Sequence, residues 1–173
     1  MSQNTPYDPQ PQSARRYNMY PQGNIYRSAT PLPIADVPPQ FVRADLEFID
    51  VDHSGPSFEA RVFVNNPNAD INTPPTAASG YAGCFNVFGH GGCFGDVGHC
   101  DVPHTIEDSF DPRPSHPLLP MKKVVIATSA IRNALAQRRD INVTVVTILK
   151  SWTDKTELNN VLKFDHINLI TYR

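Results

Sequence analysis

The sequence predicts a mostly β fold: an antiparallel β-sandwich or partly open barrel with one short helix and a disordered N-terminal tail. Short runs of alternating polar and apolar residues recur from Phe41 onward, which is typical of half-buried strands. The chain of 173 residues contains 17 prolines, which suits short strands joined by irregular loops. Apolar residues at helical spacing occur over residues 129–138, where we expect the single helix.

Residues 1–40 form the predicted tail. They are rich in Pro, Gln, Asn, Ser and Tyr and show no periodicity, so they cannot bury enough apolar surface to offset the entropy lost on ordering. Irregularly spaced tyrosines mark this segment: Tyr7, Tyr17, Tyr20 and Tyr26. Their rings are candidate anchors for docking on a partner protein. The alternative is a disordered leader without a docking role.

Residues 41–173 form a single predicted β-domain. Alternation over residues 44–48 and 58–64, with a turn between them, predicts an antiparallel pair of strands. Further strands are expected at residues 81–88, 122–127, 141–149 and 163–172. The intervening residues 101–120 contain five prolines and should form irregular coverage over the sheet.

Charge and composition exclude several classes of partner. A net charge of −2 and a pI of about 6.3 give no electrostatic reason to expect nucleic acid or an anionic membrane. The first residues contain no apolar run typical of a signal peptide, so we expect a cytoplasmic protein. The three cysteines cannot all pair within the chain, and a reducing compartment favours free thiols or metal ligation.

Residues 80–103 contain all three cysteines and two of the six histidines. Four possible donors follow one another here: His90, Cys93, His99 and Cys100. Thiolate with imidazole suits Cu(I) or Zn, so these residues are a candidate metal site, with copper as the candidate cofactor. Adjacent residues of an extended chain point to opposite faces, so the last two can both bind one ion only if the chain turns there.

Two other interpretations of this segment stay open. The first is a glycine-rich hairpin in which Cys93 and Cys100 lie opposite each other, as thiols or as a disulfide that would stabilise the fold by about 2–3 kcal/mol. The second is nucleophilic catalysis by one of these cysteines with a histidine as base, although no third group is placed to orient the base. We expect Cys84 to be a buried thiol that packs as a small hydrophobe.

Several motifs of the β-domain occur in an order known from one protein family. They are Gly-Pro-Ser-Phe-Glu-Ala-Arg-Val-Phe-Val-Asn-Asn-Pro at 55–67, Gly-Tyr-Ala-Gly at 80–83, Phe-Gly-His-Gly-Gly-Cys-Phe-Gly-Asp at 88–96, Gly-His-Cys at 98–100 and Lys-Phe-Asp at 163–165. Over residues 42–173 the chain resembles the C-terminal β-domain of tyrosinases and polyphenol oxidases. It departs from the plant motif after Asp165, where His-Ile-Asn-Leu replaces Val-Tyr-Ile-Asn.

The resemblance implies an accessory role. In that family the β-domain packs over a four-helix catalytic domain that holds two coppers with six histidines. This chain also has six histidines, but no two are four residues apart and the predicted helix contains none, so they cannot form such a site. The resemblance therefore implies a non-catalytic accessory or regulatory subunit that docks on a separate tyrosinase-like oxidase and assists its copper loading. The alternative is a structural protein-interaction module without a copper role.

Overall fold

A computed structural model of the chain describes residues 11–89, 120–149 and 159–173, and it confirms the mostly β class. In chain order the described strands are β1 (Pro11–Tyr17), β2 (Met19–Gln22), β3 (Ile25–Ser28), β4 (Arg43–Val51), β5 (Phe58–Val64), β6 (Tyr81–Val87), β7 (Met121–Ile126), β8 (Val143–Leu149) and β9 (His166–Tyr172). They form one sheet of order β1-β9-β4-β7 and a second of order β2-β3-β8-β5-β6. All strand pairs between named strands are antiparallel, and the two sheets make a sandwich rather than a closed barrel.

The alternating runs supply the inner faces of both sheets. On β4, Ala44, Leu46 and Phe48 are fully buried. On β5, Ala60 and Val62 are fully buried as well. Since successive side chains of a strand point to opposite faces, this spacing places every second residue in one shared core. Both predicted strands are present, but the prediction that they pair with each other is wrong. β4 pairs with β7 and β9 in the first sheet, whereas β5 pairs with β6 and β8 in the second, so the turn between them crosses from one sheet to the other.

The structure departs from the predicted tail over residues 11–40. Strand β1 pairs with β9 at an edge of the first sheet, and the β2–β3 hairpin extends the second sheet beside β8. The hairpin loop is Gly23-Asn24, with Gly23 at φ 62, a conformation that glycine adopts without strain. The conformational entropy lost on ordering residues 11–28 is offset because these strands pair with other strands of the two sheets and bury Tyr17 and Tyr26 in the core.

A second, smaller hydrophobic cluster lies on the outer side of the five-stranded sheet. It contains Phe63, Val146 and Ala69, with Ile25 and Tyr81 packed against it. Ala69 belongs to the loop that follows β5, so this loop covers the sheet where β5 would otherwise expose Phe63. Phe63 breaks the alternation of β5, and its outward-facing ring is buried by the loop that contains Ala69.

The single helix of the described ranges, α1 (Thr128–Ala136), confirms the predicted one to within two residues. It buries Ile131 and Ala134 and packs against β4, β5 and β6. The Thr128 hydroxyl accepts a hydrogen bond from the Ala44 amide at 3.0 Å, which fixes the start of the helix on β4. In the parts of the chain that the structure describes, no helix is both long and apolar enough to cross a membrane.

Candidate functional site

Three of the sequence motifs meet at one end of the sandwich. This end is formed by residues 52–57, 87–89 and 163–165, and we call it the motif end. The Asp52 amide donates to the carbonyl of Lys163 at 2.9 Å, and the Gly89 amide donates to the Ser57 hydroxyl at 3.0 Å. The β4–β5 turn is therefore held on one side by the Lys-Phe-Asp motif and on the other by the start of the glycine-rich motif.

Gly89 is required at its position by close packing. A Cβ atom there would overlap the carbonyl oxygen of Gly55 and the backbone carbonyl of Pro56. Backbone atoms cannot move aside as a flexible side chain can, so this contact excludes larger residues. The preceding Phe88 is 81% exposed. The exposed Phe88 ring therefore lies next to the close backbone contact between Gly89 and the Gly55–Pro56 turn.

The Lys-Phe-Asp motif connects this end to the core and to the N-terminal strands. The Phe164 ring packs against Phe48 and Tyr26, with ring centroids 5.7 and 6.3 Å apart. Asp165 accepts hydrogen bonds from Arg16 on β1 at 3.3 Å and lies 2.7 Å from Nδ1 of His166. Phe164 therefore supplies aromatic packing immediately before the point where this chain departs from the plant motif.

Charged groups also lie at the motif end. Backbone hydrogen bonding from Ser54, with a side-chain contribution from the same residue, holds the pKa of Asp52 below its usual value, and the nearby charges of Lys163 and His53 act in the same direction. The Ser54 amide donates to Asp52 Oδ1 at 2.8 Å. These contacts favour the charged form of the Asp52 carboxylate, and its hydrogen bond to Ser54 fixes the conformation of the β4–β5 turn.

The predicted metal ligands His90, Cys93, His99 and Cys100, together with the predicted Cys93–Cys100 disulfide, lie outside the described residues. Their segment begins directly after Gly89, so the motif end is where the chain enters it. Within residues 11–89, 120–149 and 159–173, no group of three or more His, Cys, Asp or Glu side chains could hold a metal.

The predicted docking tyrosines fall into different environments. Tyr17 and Tyr26 are only 3% and 2% exposed, so they pack in the core and cannot reach a partner. Burial raises the pKa of Tyr17, and it raises that of Tyr26 to about 12, although the Leu162 amide donates to the Tyr26 oxygen at 2.8 Å. Tyr20 is 67% exposed and keeps the proposed role, while Tyr7 lies outside the described residues.

The expectation that Cys84 is buried is wrong. Its side chain is exposed on the outer face of β6, the edge strand of its sheet. It lies opposite Arg61, which is already paired with Glu59 at 2.8 Å. Burial, and then the hydrogen bond with Cys84, raises the pKa of the neighbouring Tyr81 to about 12. The alternation of β6 accounts for the exposure, because Phe85 and Val87 are buried and Cys84 therefore faces the opposite side of the strand.

The outer face of the four-stranded sheet carries buried carboxylates that are already paired. Asp45 is 2% exposed and bonds Arg43 at 2.8 Å, while Glu47 bonds Lys122 at 3.0 Å. The guanidinium also lies over the ring of Tyr172, 5.7 Å from its centroid. Since burying an unpaired charge is costly, these pairs explain how β4 tolerates acidic residues in mid-sheet.

Sequence reasoning missed the exposure of Phe88, although its position between a strand and a glycine gave a usable signal.

The chain was compared with protein-family models and with curated proteins. No family model matches it, and no curated protein matches it.

Proposed function

We propose that this chain is a non-catalytic, cytoplasmic accessory subunit of a tyrosinase-like copper oxidase and that it docks through the motif end over the partner's dicopper domain. The observation that carries the proposal is the meeting of separated motifs at one end of the sandwich. Asp52 and Ser57 contact Lys163 and Gly89 through the hydrogen bonds described above. Parts of three motifs on which the resemblance rests, at residues 55–57, 88–89 and 163–165, thus build one local surface, while the rest of the 55–67 motif and the 80–83 motif extend away from it.

Phe88 is the proposed anchor of this surface. Exposed aromatic side chains on a rigid support are typical of the few residues that dominate protein–protein binding, because little conformational entropy is lost when they dock. The 81% exposed ring is followed by Gly89, whose backbone is packed against the Gly55–Pro56 turn. The charged Asp52 and Lys163 supply the polar rim that such interfaces carry.

The second part of the proposal is copper delivery by His90, Cys93, His99 and Cys100. This donor set of thiols and imidazoles matches the preference of Cu(I). A copper site next to the docking surface would be presented to the partner when the complex forms. The isolated chain is expected not to oxidise catechols, because the proposal leaves oxygen chemistry to the partner.

Docking is tested with tagged protein expressed in its native cells. We expect a catechol-oxidising protein to co-purify with the wild type and to be lost with Phe88→Ser. The matched control is Ile71→Ser, which removes a 59% exposed apolar side chain from the loop after β5. Absence of any oxidase in the wild-type eluate, or equal loss with both variants, would contradict the proposal.

Copper delivery is tested by titrating purified protein with Cu(I) against a competing chromophoric chelator. The double variant Cys93→Ser, Cys100→Ser should lose Cu(I) binding, while Cys84→Ser, which removes the exposed thiol of β6, should keep it. Unchanged stoichiometry in the double variant would remove the copper role. Catechol oxidation at an enzymic rate by the isolated chain loaded with Cu(II) would overturn the accessory role itself.

The second candidate is a protein-interaction module without a copper role. It is favoured by one observation: packing against Gly55 and Pro56 already explains why Gly89 is a glycine, without any metal. Partner binding that depends on Phe88, combined with no Cu(I) uptake, is the result expected for this candidate.

A further inference from the structure

A groove lies at the opposite end of the sandwich from the motif end. It has a volume of about 210 Å³ and runs between helix α1 and the chain segments 64–66 and 77–81. The Asn66 side chain donates to the carbonyl of Ser79 at 2.8 Å, which ties these two segments together as one wall. The groove is thus a fixed feature between a helix and a braced loop.

The helical wall presents a row of polar side chains. Ser129, Asn133 and Gln137 line the groove, and their spacing of four residues places them along one side of the helix. Ser129 and Gln137 are eight residues apart, so the row is roughly 12 Å long. The side chains of these residues form no hydrogen bond with the part of the chain that is described. Their donors and acceptors are available to a ligand.

The facing wall contains a buried donor without an acceptor. Asn65 has φ 57, and its Oδ1 accepts a hydrogen bond from the Asn142 amide at 2.8 Å. Its Nδ2 is fully covered by protein atoms and has no hydrogen-bond partner among the described residues. Because this nitrogen is covered, a ligand in the groove cannot contact it, so the polar groups that face a ligand are those of the helical wall and Arg139.

The charge of the groove narrows the class of ligand. Arg139 is the charged residue of the lining, and its guanidinium forms no ion pair within residues 11–89, 120–149 and 159–173. Without a carboxylate in the lining, the groove is unsuited to a cation, and its polar walls are unsuited to an apolar molecule. A ligand rich in oxygen atoms, either neutral or acidic, fits these groups.

We infer that this groove binds a sugar, as a monosaccharide or the end of an oligosaccharide. Each sugar hydroxyl both donates and accepts, as do the Ser129 hydroxyl and the amides of Asn133 and Gln137, so the two sets can satisfy one another. Arg139 supplies donors for two neighbouring hydroxyl oxygens or for the carboxylate of a uronic acid. This inference does not depend on the accessory role, because the groove and the motif end share no residue.

The inference is tested by NMR titration of the full chain with glucose, galactose, mannose, N-acetylglucosamine and glucuronate. We expect saturable shifts of the side-chain amide signals of Asn133 and Gln137 with at least one of these sugars. Absence of shifts at these amides with every sugar would overturn the inference. Saturable shifts there with a tripeptide but with no sugar would assign the groove to peptide and also overturn it.

Variants on the helix surface measure the contribution of single amides. Asn133→Ala and Gln137→Ala should each weaken sugar binding roughly 2- to 12-fold, the range for one lost hydrogen bond. Both positions are exposed and alanine is the best helix former, so folding should be retained. The control is Asn72→Ala, an exposed amide outside the groove, which should bind as the wild type does. Equal weakening by the control would contradict the assignment. Copper uptake and oxidase binding should be unchanged in all three variants, so failure here is distinct from failure of the accessory role.

Discussion

The two ends of the sandwich differ in how their polar groups are used. At the motif end, the Asp52 and Gly89 amides donate to neighbouring segments, and the backbones of Gly89 and Gly55 lie in close contact. At the helix end, Ser129, Asn133 and Gln137 line a groove, and their side chains form no hydrogen bond with the described residues. The polar groups of the first end therefore hold its shape, while those of the second end can still bond a ligand.

This difference suggests two separate kinds of binding. A rigid surface with an exposed ring suits a large protein partner, since little entropy is lost when it docks. A polar groove with unused amides suits a small ligand that replaces water. The predictions below test this division, and each compares one substitution with a matched change elsewhere.

The largest expected effect is at the core packing behind the motif end. Phe48→Ala removes a fully buried ring that lies 4.7 Å from Phe85 and 5.7 Å from Phe164, measured between ring centroids. We expect a loss of about 3–5 kcal/mol in the free energy of unfolding, measured by denaturant titration. The same change at Phe88, whose side chain is 81% exposed, should reduce the free energy of unfolding by much less. Similar losses in both variants would mean that Phe88 is packed against the fold.

The second effect tests the rigidity of the motif end. Gly89→Ala should reduce the free energy of unfolding by about 1–3 kcal/mol, because the added methyl group overlaps the Gly55–Pro56 backbone. Gly55→Ala is the matched control, since a Cβ there meets no atom within 4 Å. Denaturant titration of both variants gives the comparison. If both variants lose the same free energy of unfolding, the close contact between Gly89 and the Gly55–Pro56 backbone does not exclude a larger residue.

The third effect tests the backbone conformation of Asn65 at the helix end. Asn65→Ala should reduce the free energy of unfolding by about 1–2 kcal/mol, since alanine tolerates φ 57 poorly and leaves the Asn142 amide without its acceptor. Asn65→Gly also removes the acceptor but adopts this φ without strain, so it should lose less. Thermal or denaturant unfolding of the two variants gives the comparison. Equal losses would show that the positive φ of Asn65 contributes nothing to the difference.

The smallest effect concerns pH at the motif end. The folded pKa of Asp52 lies below its usual value of 3.8, so the unfolded state binds the proton more readily. The stability that this carboxylate contributes is fully present above the pKa of the unfolded state. It is lost as the pH falls through the lower pKa of the folded state. Between pH 6 and pH 3, Asp52→Asn should therefore lose less stability than the wild type. Urea unfolding of the two proteins at both pH values measures these losses. Identical losses in wild type and Asp52→Asn would contradict the stabilising role of the Ser54 hydrogen bonds.

The β-domain could be predicted from sequence because its strands bury one face. Residues 44–48 and 58–64 alternate in polarity, and pairing in the observed register places the apolar set inside. The N-terminal strands β1 to β3 gave no such pattern, since they are short or rich in polar residues. The Gly23-Asn24 pair was nevertheless a hairpin signal, because this dipeptide favours two-residue loops.

The candidate sites could be predicted only in part. The motif residues indicated that Gly89 and Lys163 matter, but their meeting around the β4–β5 turn depends on pairing between distant strands. The groove was not foreseen because Asn65 and Asn133 come from segments far apart in the chain. Local patterns reveal which residues are unusual, while tertiary contacts decide which of them are neighbours.

The N-terminal strands have a consequence for any shortened form of this protein. Residues 11–28 add a strand to the first sheet and two to the second, so they cover β9 and β8 at the same time. A chain starting at residue 41 would leave two long, apolar strands with unpaired amides and carbonyls. Such edges are templates for intermolecular pairing. We expect removal of the leader to cause self-association, visible as a concentration-dependent rise in light scattering, rather than to give a smaller monomer.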